Sequence, residues 1–220
     1  DQSLSDLITG TVDDVEKITR DQMVEWYDKY FVHGELVVVA AGVLDYDVLL
    51  SKLESLTMKK PAVEFFRHAH FNDNPKWNSV TSFSSSKFNQ DQVFTAYPLD
   101  CKLSFKDYLS LLVFDSASGD SMSSRLFTEL REKLGLCYNV GSFFTIYENS
   151  GLWCAFLVCD RKNAVLASQK LCSIIEDCAT SGLTQEEIDV AIERIAGSEL
   201  MNDGAASVVV RRLWNFYSMG

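Results

Sequence analysis

Arg131 and Tyr138 are two residues whose types and spacing could form one small hydrogen-bonding site. They lie in SSRLFTELREKLGLCYNVGSFF, residues 123–144. We expect Arg131 in the last turn of a helix and Tyr138 at the start of the next strand, with Gly135 reversing the chain between them. A guanidinium and a phenol are both donors at neutral pH, and they can bind a peptide carbonyl or the oxyanion that it becomes when attacked. The alternative is that Arg131 makes an ordinary helix-end contact and Tyr138 packs in the core.

No other catalytic motif is visible. The sequence has no His-x-x-Glu-His, His-Glu-x-x-His or Gly-x-Ser-x-Gly, no Walker loop and no Rossmann glycine pattern. His68 and His70 would share one face of an extended segment and could in principle share a metal ion. That segment is polar and supplies no obvious third ligand, so we predict no metal site in this chain. His33 is expected at the surface, between a helix and a strand.

Composition excludes several classes of protein. With 220 residues, of which 47% are hydrophobic and 12% aromatic, the chain can bury a sizeable core and is not disordered. Its net charge of −11 would repel a phosphate backbone, which argues against nucleic acid as a partner. The longest apolar run, residues 36–44, is far shorter than the roughly 20 residues that cross a bilayer. No signal peptide is visible at the start, although a fragment would show none either.

The cysteines predict reduced, mostly buried thiols. There are six, without Cys-x-x-Cys spacing, in a chain large enough to form its own core. We therefore expect a cytoplasmic protein. Cys137, beside Tyr138, offers redox control by oxidation or alkylation as an alternative, but its apolar neighbours favour a buried, inert thiol.

Helix caps and hydrophobic periodicity predict an α+β fold. Capping boxes at Thr19/Gln22 and Thr184/Glu187 mark two helix starts, and Asp45 caps a short helix. The full set is helices at 20–30, after 45, at 104–117, up to 134, at 163–180, after 184 and from 205, with strands at 35–42, 90–97, 137–147 and 152–159. The last two strands are joined by a short turn, which predicts an antiparallel hairpin. We expect a mixed or antiparallel sheet with helices packed on one face.

Residues 123–144 closely resemble the signature of the second half of the pitrilysin/insulinase family of zinc metallopeptidases, which includes the mitochondrial processing peptidase. Residues 8–42, ITGTVDDVEKITRDQMVEWYDKYFVHGELVVVAAG, resemble a segment at the end of that family's first half. Members resemble tandem duplications, with an inverted zinc motif in the first half and a substrate-binding Arg/Tyr pair in the second. The resemblance implies that Arg131 and Tyr138 are that pair.

The resemblance also implies a domain division. Residues 1–56 would be the C-terminal tail of the first half, 57–77 a linker, and 78–220 a truncated second half of processing-peptidase-like fold. The strand at 35–42 must then find a partner, because unpaired backbone on an apolar strand is an aggregation hazard. It would either complete the sheet of the second half within one chain or pair with another copy in a homodimer.

By the same resemblance, the chain is part of a zinc-dependent peptidase that binds extended peptide and helps to stabilise the tetrahedral intermediate. It would work with a zinc-bearing half of the same protein or with a partner subunit. The zinc ligands would lie upstream, so we predict no cofactor, no catalytic residue and no hydrolysis in this chain alone. The acidic balance would favour basic peptides or simply provide a solvated surface. The alternative function is a catalytically silent subunit or scaffold, and the presence of the inverted zinc motif in the parent would separate the two.

Overall fold

The structure is a computed structural model that describes residues 8–33, 36–57, 89–100, 102–147, 150–202 and 204–219. It divides into two compact units, Asp1–Asn72 with Met201–Gly220 and Asp73–Leu200. The division into a tail, a linker and a second half stays a prediction, and nearly all of the 57–77 linker lies outside the described residues. In chain order the elements are α1 (Val12–Lys17), α2 (Arg20–Tyr27), a first π-helix (Asp28–Val32), α3 (Tyr46–Thr57), β1 (Gln90–Leu99), α4 (Phe105–Ser118), a second π-helix (Phe127–Lys133), β2 (Asn139–Tyr147), β3 (Ser150–Asp160), a 3-10 turn (Arg161–Asn163), α5 (Ala164–Thr180), α6 (Gln185–Asn202) and α7 (Ala206–Met219).

The predicted helix starts are confirmed, because their caps are local. Before α2, the Thr19 hydroxyl accepts from the Gln22 backbone N–H, and the Gln22 side chain accepts from the Thr19 N–H. The Asp45 carboxylate accepts from the Val48 N–H at 3.0 Å and caps α3. These contacts satisfy backbone donors that have no partner inside the helix.

The strand predicted at 35–42 is wrong for the described part of that segment. Residues 36–41 have no regular secondary structure, and Leu36 and Val38 are 56% and 47% exposed. A β-branched run forms a strand only where a neighbouring strand takes its backbone hydrogen bonds, and the regular elements described in its unit are all helices. The segment does not complete the described sheet, and pairing with a second copy stays a prediction.

The sheet has three strands among the described residues, in the order β1-β3-β2, and both pairings are antiparallel. Alternate residues of β3 point into the core, where they meet one face of α5. The core side chains of these two elements are Trp153, Ala155, Leu157, Cys159, Ala167, Leu171 and Ile175. Phe114 of α4 packs on Trp153 with ring centroids 5.5 Å apart. The predicted hairpin and the α+β class, with helices packed on the sheet, are therefore confirmed.

Arg125 joins the start of the helical segment after α4 to the connection between α5 and α6. Its Nε and Nη2 donate to the two carboxylate oxygens of Glu187 at 2.7 and 2.6 Å, while Nη1 donates to Asp177 at 3.0 Å. Nη2 also donates to the Gly182 carbonyl at 3.1 Å. Glu187 accepts from the backbone N–H of Thr184, so the second capping box is confirmed and is tied to Arg125.

The Arg125–Glu187 pair predicts a specific loss of stability in acid. The hydrogen bond from Arg125 lowers the pKa of Glu187 from 4.5 to about 2. A carboxyl group whose pKa falls on folding stabilises the protein above its unfolded pKa, and that stabilisation disappears as the pH falls from about 4.5 to about 2. We expect wild type to exceed Glu187→Gln by about 2–3 kcal/mol in unfolding free energy at pH 7 and to converge with it near pH 2. Urea denaturation across that range measures the difference, and a gap independent of pH would contradict the pairing.

Asp115 is a buried carboxylate that links α4 to two strands. One oxygen, Oδ1, accepts from the Ser142 hydroxyl at 2.5 Å and from the Trp153 indole N–H at 2.7 Å. Gly119, just past the end of α4, lies so close to Ser142 that a Cβ there would overlap it. Burial raises the pKa of Asp115 above its usual value. This network fixes the end of α4 against β2 and β3.

Candidate peptide-binding site

The second π-helix carries Arg131 and is held to the core by its opposite side. Ser124, fully buried, precedes the helical residues 125–126 that lead into it and accepts from the Phe127 N–H at 3.3 Å. Leu126 and Leu130 are buried against the sheet, at 1% and 0% exposure. The helix ends with the Leu134 N–H donating to the Glu129 carbonyl, five residues earlier, which is π-helical spacing. The sequence predicted the end of this helix but not its π winding.

Gly135 reverses the chain as predicted. Its φ of 58° is in the left-handed region that favours glycine, and the Leu136 N–H donates to the Leu130 carbonyl at 2.9 Å. The chain then enters the sheet, where the Tyr138 N–H donates to the Val158 carbonyl at 2.8 Å. Arg131 and Tyr138 therefore flank one short helix-to-strand turn.

Arg131 presents an exposed guanidinium. Its Cζ lies 4.9 Å from the ring centroid of Phe127, four residues earlier, and this cation–π contact favours that direction of the side chain. Among the described residues, none accepts a hydrogen bond from this guanidinium. Its five N–H donors therefore have no acceptor within the described part of the chain.

Tyr138 is 55% exposed, so it is not packed in the core. Its hydroxyl donates to Oδ2 of Asp160 at 3.0 Å. That hydrogen bond, together with the negative charge of Asp160, raises the pKa of Tyr138. Neither Tyr138 nor Arg131 is walled off from solvent, and their role in binding substrate stays a prediction.

Asp160 is a site residue that the sequence reasoning missed. Tyr147 pairs with Ser150 across the hairpin, and this register places Tyr138 opposite Cys159, next to Asp160. The position of the predicted hairpin was the available signal, because the register of an antiparallel hairpin fixes every cross-strand neighbour. The sequence predicted a turn within residues 148–151. It did not predict the strand register, which places Asp160 beside Tyr138 at the open end of the hairpin.

Zinc does not fit the donor set of the described residues. They contain no group of three or more His, Cys, Asp or Glu side chains arranged to hold a metal ion. His68 and His70 lie outside the described residues. The His33 ring lies 2.9 Å from the Asp28 carbonyl and is partly exposed after the first π-helix. No step of a reaction is therefore assigned to a metal in this chain.

An apolar groove of about 490 Å³ lies elsewhere in the same unit, between α4 and the start of α6. Its walls include Leu109 and Val113 of α4, Leu183, and Ile188 of α6. It does not include Arg131 or Tyr138, so the candidate peptide site is an open surface turn rather than this groove.

The described cysteines are free, and all but one are buried. Cys137 is 7% exposed, and burial raises its pKa, which favours the inert thiol over redox control.

In a Cys101→Ser background, we expect Cys172 to react with a maleimide at least tenfold faster than the other thiols, because it alone among those described is exposed. Mass spectrometry of labelled peptides measures this. Fast labelling of Cys137 in folded protein would restore the redox alternative.

The described elements form an α+β domain, and comparison with known proteins shows its family. Residues 17–195 match the sequence profile of the Peptidase M16 inactive domain. The chain belongs to this family, which confirms the kinship with zinc metallopeptidases predicted from residues 123–144.

Several curated relatives carry zinc protease names. An uncharacterised zinc protease of Streptomyces coelicolor is 28% identical over 219 residues, which cover 97% of this chain and 47% of the relative. One from Rickettsia felis is 29% identical over 159 residues, covering 70% of this chain and 36% of the relative. A protein of Helicobacter pylori named as a non-peptidase homolog is 24% identical and matches 99% of this chain and 50% of its own length. The chain spans about half the length of the first and third of these relatives and 36% of the second.

Solved structures share the fold. A protease from Helicobacter pylori superposes with a TM-score of 0.83 at 16% identity, covering 96% of this chain and 52% of that one. An inactive domain from Pseudomonas fluorescens gives 0.70 at 20% identity, with 96% and 50% covered. At these identities the likeness supports the fold alone.

Within the described residues, no helix has the length and apolar character needed to span a membrane.

Proposed function

We propose that this chain is the substrate-holding part of a zinc-dependent peptidase whose zinc-binding residues lie in another part of the parent protein or in a partner subunit. The observation that carries the proposal is the exposed Arg131 guanidinium, which has no hydrogen-bond acceptor among the described residues, at the same turn as the exposed Tyr138. The zinc protease names of several relatives support it. The predicted cytoplasmic location stays a prediction.

Arg131 would donate hydrogen bonds to a carbonyl oxygen of the bound peptide. A guanidinium offers a rigid fork of donors and is always charged, so its hydrogen bonds strengthen as a carbonyl oxygen gains negative charge. The Phe127 ring favours one direction of this cation before a peptide binds, which reduces the entropy lost on binding. Arg131 would thus contribute to stabilising a tetrahedral intermediate formed at a zinc site that this chain does not contain.

The sheet offers a matching surface for an extended peptide. β2 begins one residue after Tyr138 and pairs with β3 on only one side in the described sheet. A strand with one open edge can take a further strand by main-chain hydrogen bonds, which is a common mode of peptide recognition. A peptide added there would run past Tyr138 toward the turn that carries Arg131.

A catalytically silent subunit is the second candidate. The Helicobacter pylori relative that matches nearly all of this chain is named as a non-peptidase homolog. In such a protein the same turn would present or retain peptides without a zinc site to cleave them.

The full parent protein and the 220-residue chain, each assayed with and without zinc, test the proposal. The probe is a quenched-fluorescent library of unstructured twelve-residue peptides, balanced between basic and acidic members. We expect the chain to bind library members without hydrolysing them, and the parent to hydrolyse them until a zinc chelator is added. A parent that contains no inverted zinc motif and binds without cleaving would favour the silent subunit. Hydrolysis by the chain alone, or no binding by either protein, would contradict the proposed function.

A further inference from the structure

Three phenylalanines form a row across the outward face of the sheet. The odd-numbered residues of β3 from Trp153 to Cys159 point into the core, so the even-numbered residues point outward. Phe156 is one of these. It is paired with Phe94 of β1 at a ring-centroid distance of 5.9 Å, and the ring of Phe143 on β2 lies 6.2 Å from it. We call these three residues the phenylalanine row.

The phenylalanine row is accessible and lies on an uncharged surface. Phe94 is 58% exposed and Phe143 is 42% exposed. Gly141, which pairs with Phe156, has no side chain to cover that ring, and a Cβ there would lie 3.2 Å from it. Among the described strand residues that point outward, Asp160 is the one that carries a charge, although 23% of the whole chain is charged. Such a surface is complementary to an apolar side chain and disfavours a charged one.

The same face of the sheet leads to the candidate peptide site. Asp160, Val158 and Phe156 alternate on the outward side of β3. The Tyr138 hydroxyl donates to Asp160 at 3.0 Å, so the phenol lies at the end of this face. Four residues of a strand span about 13 Å, which is the distance along β3 from Asp160 to the phenylalanine row. An extended peptide covers that distance with about four of its own residues.

We propose that the phenylalanine row is a specificity-determining subsite that takes an apolar side chain of the bound peptide, about four residues from the part held at Arg131 and Tyr138. The inference rests on the proposed function and names its substrate class, which is extended peptides with a bulky apolar residue at that spacing. Neighbouring side chains of an extended peptide project to opposite sides, so one residue faces the row and the residues on either side of it do not.

A serine scan of the peptide tests the inference. The probe is the tightest-binding library peptide, with each residue replaced in turn by serine. Its binding is measured to the 220-residue chain and to the double variant Phe94→Thr/Phe143→Thr, in which threonine retains the preference for a strand. We expect one apolar position at which serine weakens binding to wild type about five- to twentyfold, and the double variant to bind that serine peptide and the original within about twofold. The absence of any position whose serine effect depends on the row would overturn the inference.

A matched variant separates binding from a merely structural role. Phe105→Thr removes a ring of similar exposure, 60%, from α4, and it should leave the serine effect as large as in wild type. Exchanging the sensitive apolar residue with either neighbour in the peptide should weaken binding to wild type as serine does. If the double variant instead weakens every peptide of the scan by the same factor, the row only supports the fold, and the inference is wrong.

Three further outcomes are distinguishable. If Arg131→Gln leaves unchanged the affinity for a peptide that depends on the row, the row binds a separate ligand and the inference is overturned. If sedimentation shows a dimer that the double variant dissociates, the row contacts a second copy of the chain, which also overturns it. If no library peptide binds to wild type, the proposed function itself fails, which differs from binding that the row does not affect.

Discussion

Replacing Arg125 with alanine is expected to lower the free energy of unfolding by about 3 kcal/mol. The side chain is only 13% exposed and makes hydrogen bonds to Glu187, Asp177 and the Gly182 carbonyl. Its removal leaves the Glu187 carboxylate, 22% exposed, without the cation that compensates its burial. Breaking a partly buried pair costs more than the pair contributes, because the remaining charge is poorly solvated.

Two variants control this measurement. Arg125→Lys keeps the charge but not the planar fork that binds both Glu187 oxygens, so it should recover less than half of the loss. Lys133→Ala removes an exposed pair with Glu129 and should cost under about 1 kcal/mol. Guanidinium denaturation measures the unfolding free energy of all three variants, provided that its dependence on denaturant concentration is the same for each. Equal losses for Arg125→Ala and Lys133→Ala would show that Arg125 does not connect the elements as described.

Replacing Asp115 with alanine is expected to cost about 2–4 kcal/mol. The Trp153 indole N–H and the Ser142 hydroxyl are buried, and both donate to Oδ1 of Asp115. Alanine leaves both donors without this acceptor. A buried donor that loses its partner costs most of its desolvation energy.

Asp115→Asn separates the hydrogen bonds from the charge. Its amide oxygen can accept both bonds, so at pH 7 we expect it to lie within about 1 kcal/mol of wild type. Because the pKa of Asp115 is raised on folding, wild type is favoured relative to Asn below the unfolded value of 3.8, and this advantage declines as the pH rises through the folded pKa. Thermal unfolding at several pH values measures how the difference in stability between wild type and Asp115→Asn changes with pH. An Asn variant as unstable as the Ala variant would contradict the role of Oδ1 as acceptor.

Local signals in the sequence predicted most of the described elements. The boxes at Thr19 and Thr184 and the glycine at 135 act on their own neighbours, so three or four residues are enough to recognise them. The hairpin was equally accessible, since two apolar runs around a short polar turn pair with each other. These features predicted that Arg131 and Tyr138 flank one turn.

Features that depend on distant residues were not predicted. The strand at 35–42 failed because apolar composition shows that a segment can be buried but not that a neighbouring strand exists. The π winding of Phe127–Lys133 leaves no mark in hydrophobic periodicity, because Leu126 and Leu130 face the core in either winding. Asp160 became a partner of Tyr138 only through the register of the hairpin.

The affinity of Arg131→Gln for the tightest-binding library peptide, compared with that of Lys133→Gln, tests the central claim most directly. Both variants remove one positive charge from the second π-helix, so long-range attraction changes equally, and each should alter the unfolding free energy by under about 1 kcal/mol. If Arg131 grips a carbonyl, its loss should weaken binding about tenfold or more, whereas Lys133→Gln should stay within about twofold. Equal affinities for the two variants would show that this guanidinium does not hold the peptide.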